Sequence, residues 1–122
     1  MRTEDGPQIA ILGGGIGGLA AAAFLGGRGF RCEVYEQADA LTEVGAGLVI
    51  APNAARLLRR LGVLDRFAEH AVRMEIGWEF RRWANGDVLS AENLEEGCLR
   101  LFGEHTYTAH RADLLDALRS AA

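Results

Sequence analysis

The sequence is short of several things, and each shortage excludes something. It has only two cysteines, Cys32 and Cys98, at no spacing that would hold a metal ion. The start of the chain, Met1 to Pro7, is polar and acidic and does not read as an export leader, so both thiols are expected free in a reducing cytoplasm. No apolar run reaches the roughly 20 residues that a spanning helix requires, so no membrane partner is expected. Basic residues are outnumbered, 13 against 17 acidic, for a net charge of −4, which argues against nucleic acid. Of the three histidines, His70, His105 and His110, none has a partner at metal-ligand spacing. There is no Ser/His/Asp constellation and no acid/base pair of carboxylates, so no catalytic residue and no metal site are assigned.

What is present is ordinary in bulk. A chain of 122 residues, 49% hydrophobic and 25% charged, suits one domain with one modest core, and no repeat or linker divides it. Glycine is the exception, at 16 residues. The stretch "IAILGGGIGGLAAAAFLGGRGFRCEVYEQ", Ile9 to Gln37, sets small residues where a core would want large ones. Ile9 to Leu12 reads as a strand buried on both faces, Ile16 to Leu25 as a helix stopped by Gly26, Gly27 and Gly29, and Arg31 to Glu36 as a second, parallel strand. Between them Gly13, Gly15 and Gly18 fit G-x-G-x-x-G. Gly13 permits the turn, Gly15 lets a pyrophosphate approach the backbone, and Gly18 lets the helix lie close on the strands. The helix then offers unpaired N–H groups and the positive end of its dipole to the phosphates. Glu36 closes the second strand at the spacing where a carboxylate accepts hydrogen bonds from an adenosine ribose. These features point to an adenine dinucleotide and leave open whether it is NAD or FAD.

Further along, "GAGLVI" is a second Gly-rich approach to an apolar run. Asn53 reads as the N-cap of a helix with Leu57, Leu58 and Leu61 on its apolar stripe and Gly62 past its end. A short helix is expected from Leu64 to His70. From Met74 the period becomes two, with Ile76, Trp78 and Phe80 on one face, and Asn85-Gly86 predicts a type I′ hairpin. Glu92 to Gly103 gives no clear reading. "RADLLDALRSAA" reads as a helix with Leu114, Leu115 and Leu118 inward. Trp78 and Trp83 are expected to make core contacts on the sheet face, Cys32 and Cys98 to act as small apolar residues, and His110 to support the start of the last helix.

The run "GGGIGGLAAAAFLGGRGFRCEVYEQ" resembles the N-terminal FAD fingerprint of the flavoprotein aromatic hydroxylases, single-component monooxygenases such as salicylate hydroxylase and 6-hydroxynicotinate monooxygenase. "GAGLVIAPNAARLLRRLGVLD", "WANGDVL" and "HRADLLDAL" resemble later segments of that family, in the right order. The resemblance implies an α/β, Rossmann-like βαβ FAD-binding domain with an added β-hairpin, incomplete relative to the family. It implies that Gly13, Gly15, Ile16, Gly17 and Gly18 form the pyrophosphate turn, that Glu36 holds the ribose, and that Gln37 lies near the adenine, where the family often has Arg or Lys. It places Ala46, Gly47 and Val49 on the flavin side and Arg111 at the pyrophosphate or ribityl chain, where a guanidinium binds phosphate oxygens two at a time.

The same resemblance implies a parent enzyme that spends NAD(P)H and oxygen to hydroxylate a small aromatic substrate, with the flavin carrying the chemistry. The family's later motifs, an Asp-Gly and a Gly-Asp pair, and its substrate-covering sheet are not in these 122 residues. The chain alone is therefore expected to be inactive. Its open sheet edges are expected to invite a dimer or a complementing chain. The alternative is a stand-alone adenine-dinucleotide-binding or assembly module.

Overall fold

The computed structural model describes residues 8–39 and 46–122. The acidic start and Gly45, at the head of the second Gly-rich approach, lie outside the described residues. The chain opens with β1 (Gln8–Leu12), α1 (Ile16–Gly26) and β2 (Arg31–Tyr35), and the two strands pair in parallel from Gln8↔Arg31 to Leu12↔Tyr35. The expected βαβ unit is there, with one correction. β1 is not buried on both faces: Ile9 and Ile11 are half-buried, whereas Gln8, Ala10 and Leu12 are exposed. Helix α1 packs against both strands, and among the described residues no third strand joins this sheet. A continuous apolar run is the mark of a doubly covered strand; here its second face has no cover within the described residues.

The next elements are β3 (Gly47–Ile50), α2 (Pro52–Arg60), α3 (Leu64–Ala68) and β4 (Val72–Arg73). They are followed by β5 (Ile76–Arg81), β6 (Val88–Asn93), α4 (Leu94–Phe102), β7 (Tyr107–His110) and α5 (Arg111–Arg119). β7 lies between β3 and β4 in an antiparallel sheet, with Gly47↔His110 and Val72↔Thr108 in register. Asn53 is not the N-cap of α2. Ala51 takes that place and Pro52 is the first helical residue, where its fixed φ and missing N–H cost nothing. Gly62 does end the helix: its N–H donates to Arg59 O (2.9 Å) and that of Val63 to Leu58 O (3.1 Å), the paired bonds of a Schellman stop.

β5 and β6 form the expected antiparallel hairpin, but not through a type I′ turn. That turn needs positive φ at both central residues. Only Gly86 has it (φ +79°), and a longer loop closes with Gly86 N–H donating to Arg82 O and Arg82 N–H donating to Asp87 O, both at 2.8 Å. The two tryptophans also depart from expectation. Trp78 is 46% exposed and Trp83, at the tip, 97% exposed, so neither is a core contact. Trp78 instead packs edge-on to Phe80 (4.8 Å between centroids) on an outward face. The stretch that gave no reading is α4, started by Asn93, whose Oδ1 accepts from Glu96 N–H (3.0 Å), and stopped by Gly103.

The core is a cluster in which Leu19 of α1, Leu58 of α2, Leu64 and Phe67 of α3 and Leu114, Leu115 and Leu118 of α5 close on Ile50 and Tyr107 of the antiparallel sheet. The α5 leucines are inward, as expected. Cys98 is buried and touches Thr106 Oγ1 at 3.5 Å, also as expected, and Cys32 is half-buried in β2.

One buried charge ties α2 to the approach to β7. Glu104, with its side chain 3% exposed, accepts two bonds from Arg59, at 2.7 Å from Nε and 3.2 Å from the second terminal nitrogen. The His105 N–H adds a third, at 3.1 Å. The Arg59 bonds, foremost, hold the Glu104 carboxyl below its ordinary value of 4.5. Arg59 is 57% exposed. The two partners therefore differ when deleted: Arg59→Ala strands a buried carboxylate, whereas Glu104→Gln releases an arginine to water. We expect Arg59→Ala to cost clearly more than Glu104→Gln, which should cost about 1 kcal/mol, in urea unfolding at neutral pH. Because the folded state lowers the Glu104 pKa, this contribution is complete above pH 4.5 and fades as pH falls below it. Equal costs for the two substitutions would contradict the assignment.

Candidate functional site

The ends of β1 and β2 lie side by side, Leu12 opposite Tyr35, and the chain leaves both toward one edge of the sheet. Carboxyl ends of parallel strands are where α/β folds hold ligands. Here Leu12, Gly13, Tyr35, Glu36 and Gln37 line an open cleft of about 480 Å³. Leu12 is 85% exposed at its mouth.

The turn beside the cleft divides its glycines by task. Gly13 has φ +105°, a conformation that a side chain resists, and its N–H donates to Tyr35 O at 2.7 Å. Gly18 sits where a Cβ would lie 1.9 Å from Gly13 O, 3.0 Å from Gly13 C and 3.3 Å from Ile11 Cγ2, so helix and strand meet with no room between them. Around Gly15 and Gly17 a Cβ would meet nothing within 4 Å. Those two keep open the space in front of the helix. Gly15 is the N-cap of α1, and the first bond along the helix is Leu19 N–H to Gly15 O (2.9 Å). The N–H groups of Ile16, Gly17 and Gly18 are thus the orphan donors of the first turn, at the positive end of the dipole. No acidic side chain stands in that turn to compete with an anion.

Glu36 follows β2, and both its oxygens are engaged. Oε2 accepts from Gly14 N–H at 2.6 Å and Oε1 from Ala38 N–H at 3.0 Å. The Ala38 and Gly14 bonds, in that order, hold its carboxyl below the ordinary value of 4.5, so it is an anion at neutral pH. Gln37 is exposed on the cleft wall. The turn, Glu36 and Gln37 are therefore brought together.

The other expected residues form a second group. Ala46 O accepts from Arg111 N–H at 3.0 Å, which joins the entry to β3 to the first residue of α5. Gly47 and Val49 are exposed on β3, while Leu48 turns toward the core. Arg111 is half-buried at the helix start. His110 occupies the N-cap of α5 but makes no side-chain bond there, so it does not support the helix start as expected. α5 packs along α1, which connects the two groups. Sequence reasoning missed Leu12 and Tyr35 as cleft walls and Gly14 as a donor to Glu36. The signal was available for the walls, since the last residue of each parallel strand faces the ligand edge. Among the described residues no cluster of His, Cys, Asp and Glu could hold a metal ion, and no helix is long and apolar enough to cross a membrane.

FAD suits what is present. Its pyrophosphate needs bare backbone and orphan N–H donors and its ribose an adjoining acceptor, and the turn, the start of α1 and Glu36 supply these in one place.

Residues 7–120 match the model of the FAD binding domain family FAD_binding_3. The chain is 45% identical over 112 residues to the 3-amino-4-hydroxybenzoate 2-monooxygenase PtmB3 of Streptomyces platensis, covering 92% of this chain and 28% of that one. It is 39% identical over 110 residues to the 6-hydroxynicotinate 3-monooxygenase of Pseudomonas fluorescens, covering 90% and 28%. Among solved structures, 2-methyl-3-hydroxypyridine-5-carboxylic acid oxygenase superposes with a TM-score of 0.75 at 26% identity, over 96% of this chain and 29% of that one. Klebsiella pneumoniae HpxO, complexed with FAD and uric acid, shares the fold with a TM-score of 0.76 at 24% identity, over 98% and 29%. The chain thus spans a little over a quarter of the length of these relatives. It belongs to the FAD-binding domain family of the flavin-dependent monooxygenases.

Proposed function

We propose that this chain is the FAD-binding portion of an NAD(P)H-dependent monooxygenase that hydroxylates a small aromatic acid of the aminohydroxybenzoate or hydroxynicotinate kind. The observation that carries the dinucleotide half is the glycine turn, open at Gly15 and Gly17 and flanked by the Glu36 anion; the match of residues 7–120 to the FAD binding domain family supports FAD as the dinucleotide. The similarity to 3-amino-4-hydroxybenzoate and 6-hydroxynicotinate monooxygenases supports the substrate class. Bound flavin supplies the oxygen chemistry. The chain's own residues hold and orient it. Ile16, Gly17 and Gly18 offer N–H groups to the pyrophosphate, Glu36 takes the ribose hydroxyls, and Gln37 borders the adenine. Arg111, with Ala46, Gly47 and Val49, attends the ribityl and flavin end.

Residues 1–122 form the N-terminal part of an FAD-binding domain, and with no residue here assigned to the chemical step they are expected to be inactive alone. The exposed apolar side chains away from the cleft, Trp78, Phe80 and Leu101 among them, are taken to be covered by further polypeptide. A cytoplasmic setting fits the two free thiols.

Titration of the protein with FAD, NAD and ADP-ribose tests the reading. FAD is expected to bind at least about tenfold more tightly than the other two, equivalent to ~1.4 kcal/mol from contacts beyond the adenosine diphosphate. Equal affinity for all three would remove the flavin and favour a stand-alone dinucleotide module.

A further inference from the structure

Glu36 makes contacts that ribose binding alone does not require. The turn is stitched to the end of β2 at two consecutive amides. The Gly13 N–H is held by main chain, at Tyr35 O (2.7 Å), and the Gly14 N–H by the Glu36 side chain, at Oε2 (2.6 Å). Gly14 is buried, although Gly13, Gly15 and Gly17 around it border open space. The other oxygen, Oε1, accepts from Ala38 N–H two residues on (3.0 Å), which fixes the orientation of the carboxylate itself.

We infer that Glu36 is a positioning residue for the glycine turn as well as the ribose acceptor, holding the Gly14 peptide in place before a nucleotide arrives. A carboxylate can perform both tasks, because it has about four lone-pair sites and the two amides use two of them. Two remain for a vicinal diol. A glutamine cannot, since its one amide oxygen would serve one N–H while its NH2 faced the other donor. An aspartate keeps the charge but is one methylene short of a 2.6 Å contact. The lowered Glu36 pKa agrees with an anion fixed by backbone donors. Only the ribose half of this inference rests on the dinucleotide reading; the turn half does not.

The test is amide hydrogen exchange in protein freed of FAD, joined to ADP affinity, for the native protein and for Glu36→Gln and Glu36→Asp. Loss of a charge-assisted bond should speed exchange at Gly14 by about tenfold or more in Glu36→Gln. The amides of Leu115 and Leu118 in the core should not change, ADP should bind more weakly, and Glu36→Asp should rescue neither effect. Unchanged Gly14 exchange with weakened ADP binding would overturn the positioning role and leave the dinucleotide site standing. Equal acceleration at Leu115 and Leu118 would also overturn it, because the effect would then be global. Faster Gly14 exchange in a protein whose native form binds no ADP would uphold the turn role and sink the dinucleotide reading instead.

Discussion

Gly18→Ala is expected to destabilise the protein by at least about 3 kcal/mol, the upper range for forcing extra volume into a packed interior. The sign runs against helix propensity, since replacing a helical glycine by alanine ordinarily gains about 1 kcal/mol. Geometry decides the contest. The added Cβ would lie 1.9 Å from the carbonyl oxygen of Gly13; that oxygen is main chain and the Cβ is fixed to its own Cα, so neither can swing aside as the end of a long side chain would. Gly13 is itself fixed by its N–H bond to Tyr35 O and by a φ of +105°. Relief would have to come from lifting α1 off β1, which would loosen the contact of Leu19, Ala22 and Ala23 with their surroundings. Urea unfolding measures the loss, with Gly17→Ala as the control. At Gly17 a Cβ meets nothing within 4 Å, so that variant should be as stable as the native protein or slightly more so. Equal stability of the two variants would mean that the helix does not rest on the turn as described.

Gly15→Val is expected to do the reverse, sparing the fold and emptying the site. Gly15 has φ −75° and ψ −173°, a backbone state open to any residue, and a Cβ there meets nothing within 4 Å. The cost in stability should stay near 1 kcal/mol, from replacing glycine at an N-cap by a residue that caps poorly. The FAD affinity should fall by at least about a hundredfold, because a pyrophosphate must come within ~3 Å of the N–H groups that the isopropyl group would screen. Equilibrium titration with FAD, beside a melting curve, separates the two effects. Retention of native affinity by a folded Gly15→Val protein would remove the phosphate site from this turn.

The β1–α1–β2 unit and the turn were legible because their signals are local. Gly13, Gly15, Gly18 and Glu36 act within 24 residues, and each answers to a steric or charge requirement that one stretch of sequence contains. The antiparallel sheet was not legible for the opposite reason. β7 is four residues, and its partners, residues 47–50 and 72–73, lie about 60 and 35 positions away, so nothing in "YTAH" announces the pairing. Asn53 was misread because two capping signals stood side by side and the proline prevailed. Helix α4 had an Asn93-to-Glu96 start and a Gly103 stop, both readable signs, but its exposed Leu99, Leu101 and Phe102 blur the stripe on which a helix is recognised. In the second group, the meeting of Ala46 with Arg111 depends on the same long-range pairing that hid β7.

The hairpin has a consequence for anyone who follows this protein by light. Both indole rings of the chain, Trp78 and Trp83, stand on that one wet ribbon, and none lies in the core around Phe67. Intrinsic emission therefore starts from a solvated fluorophore and moves little on denaturation. It reports the ribbon and whatever comes to rest on it, while melting of the interior is better read from helix ellipticity.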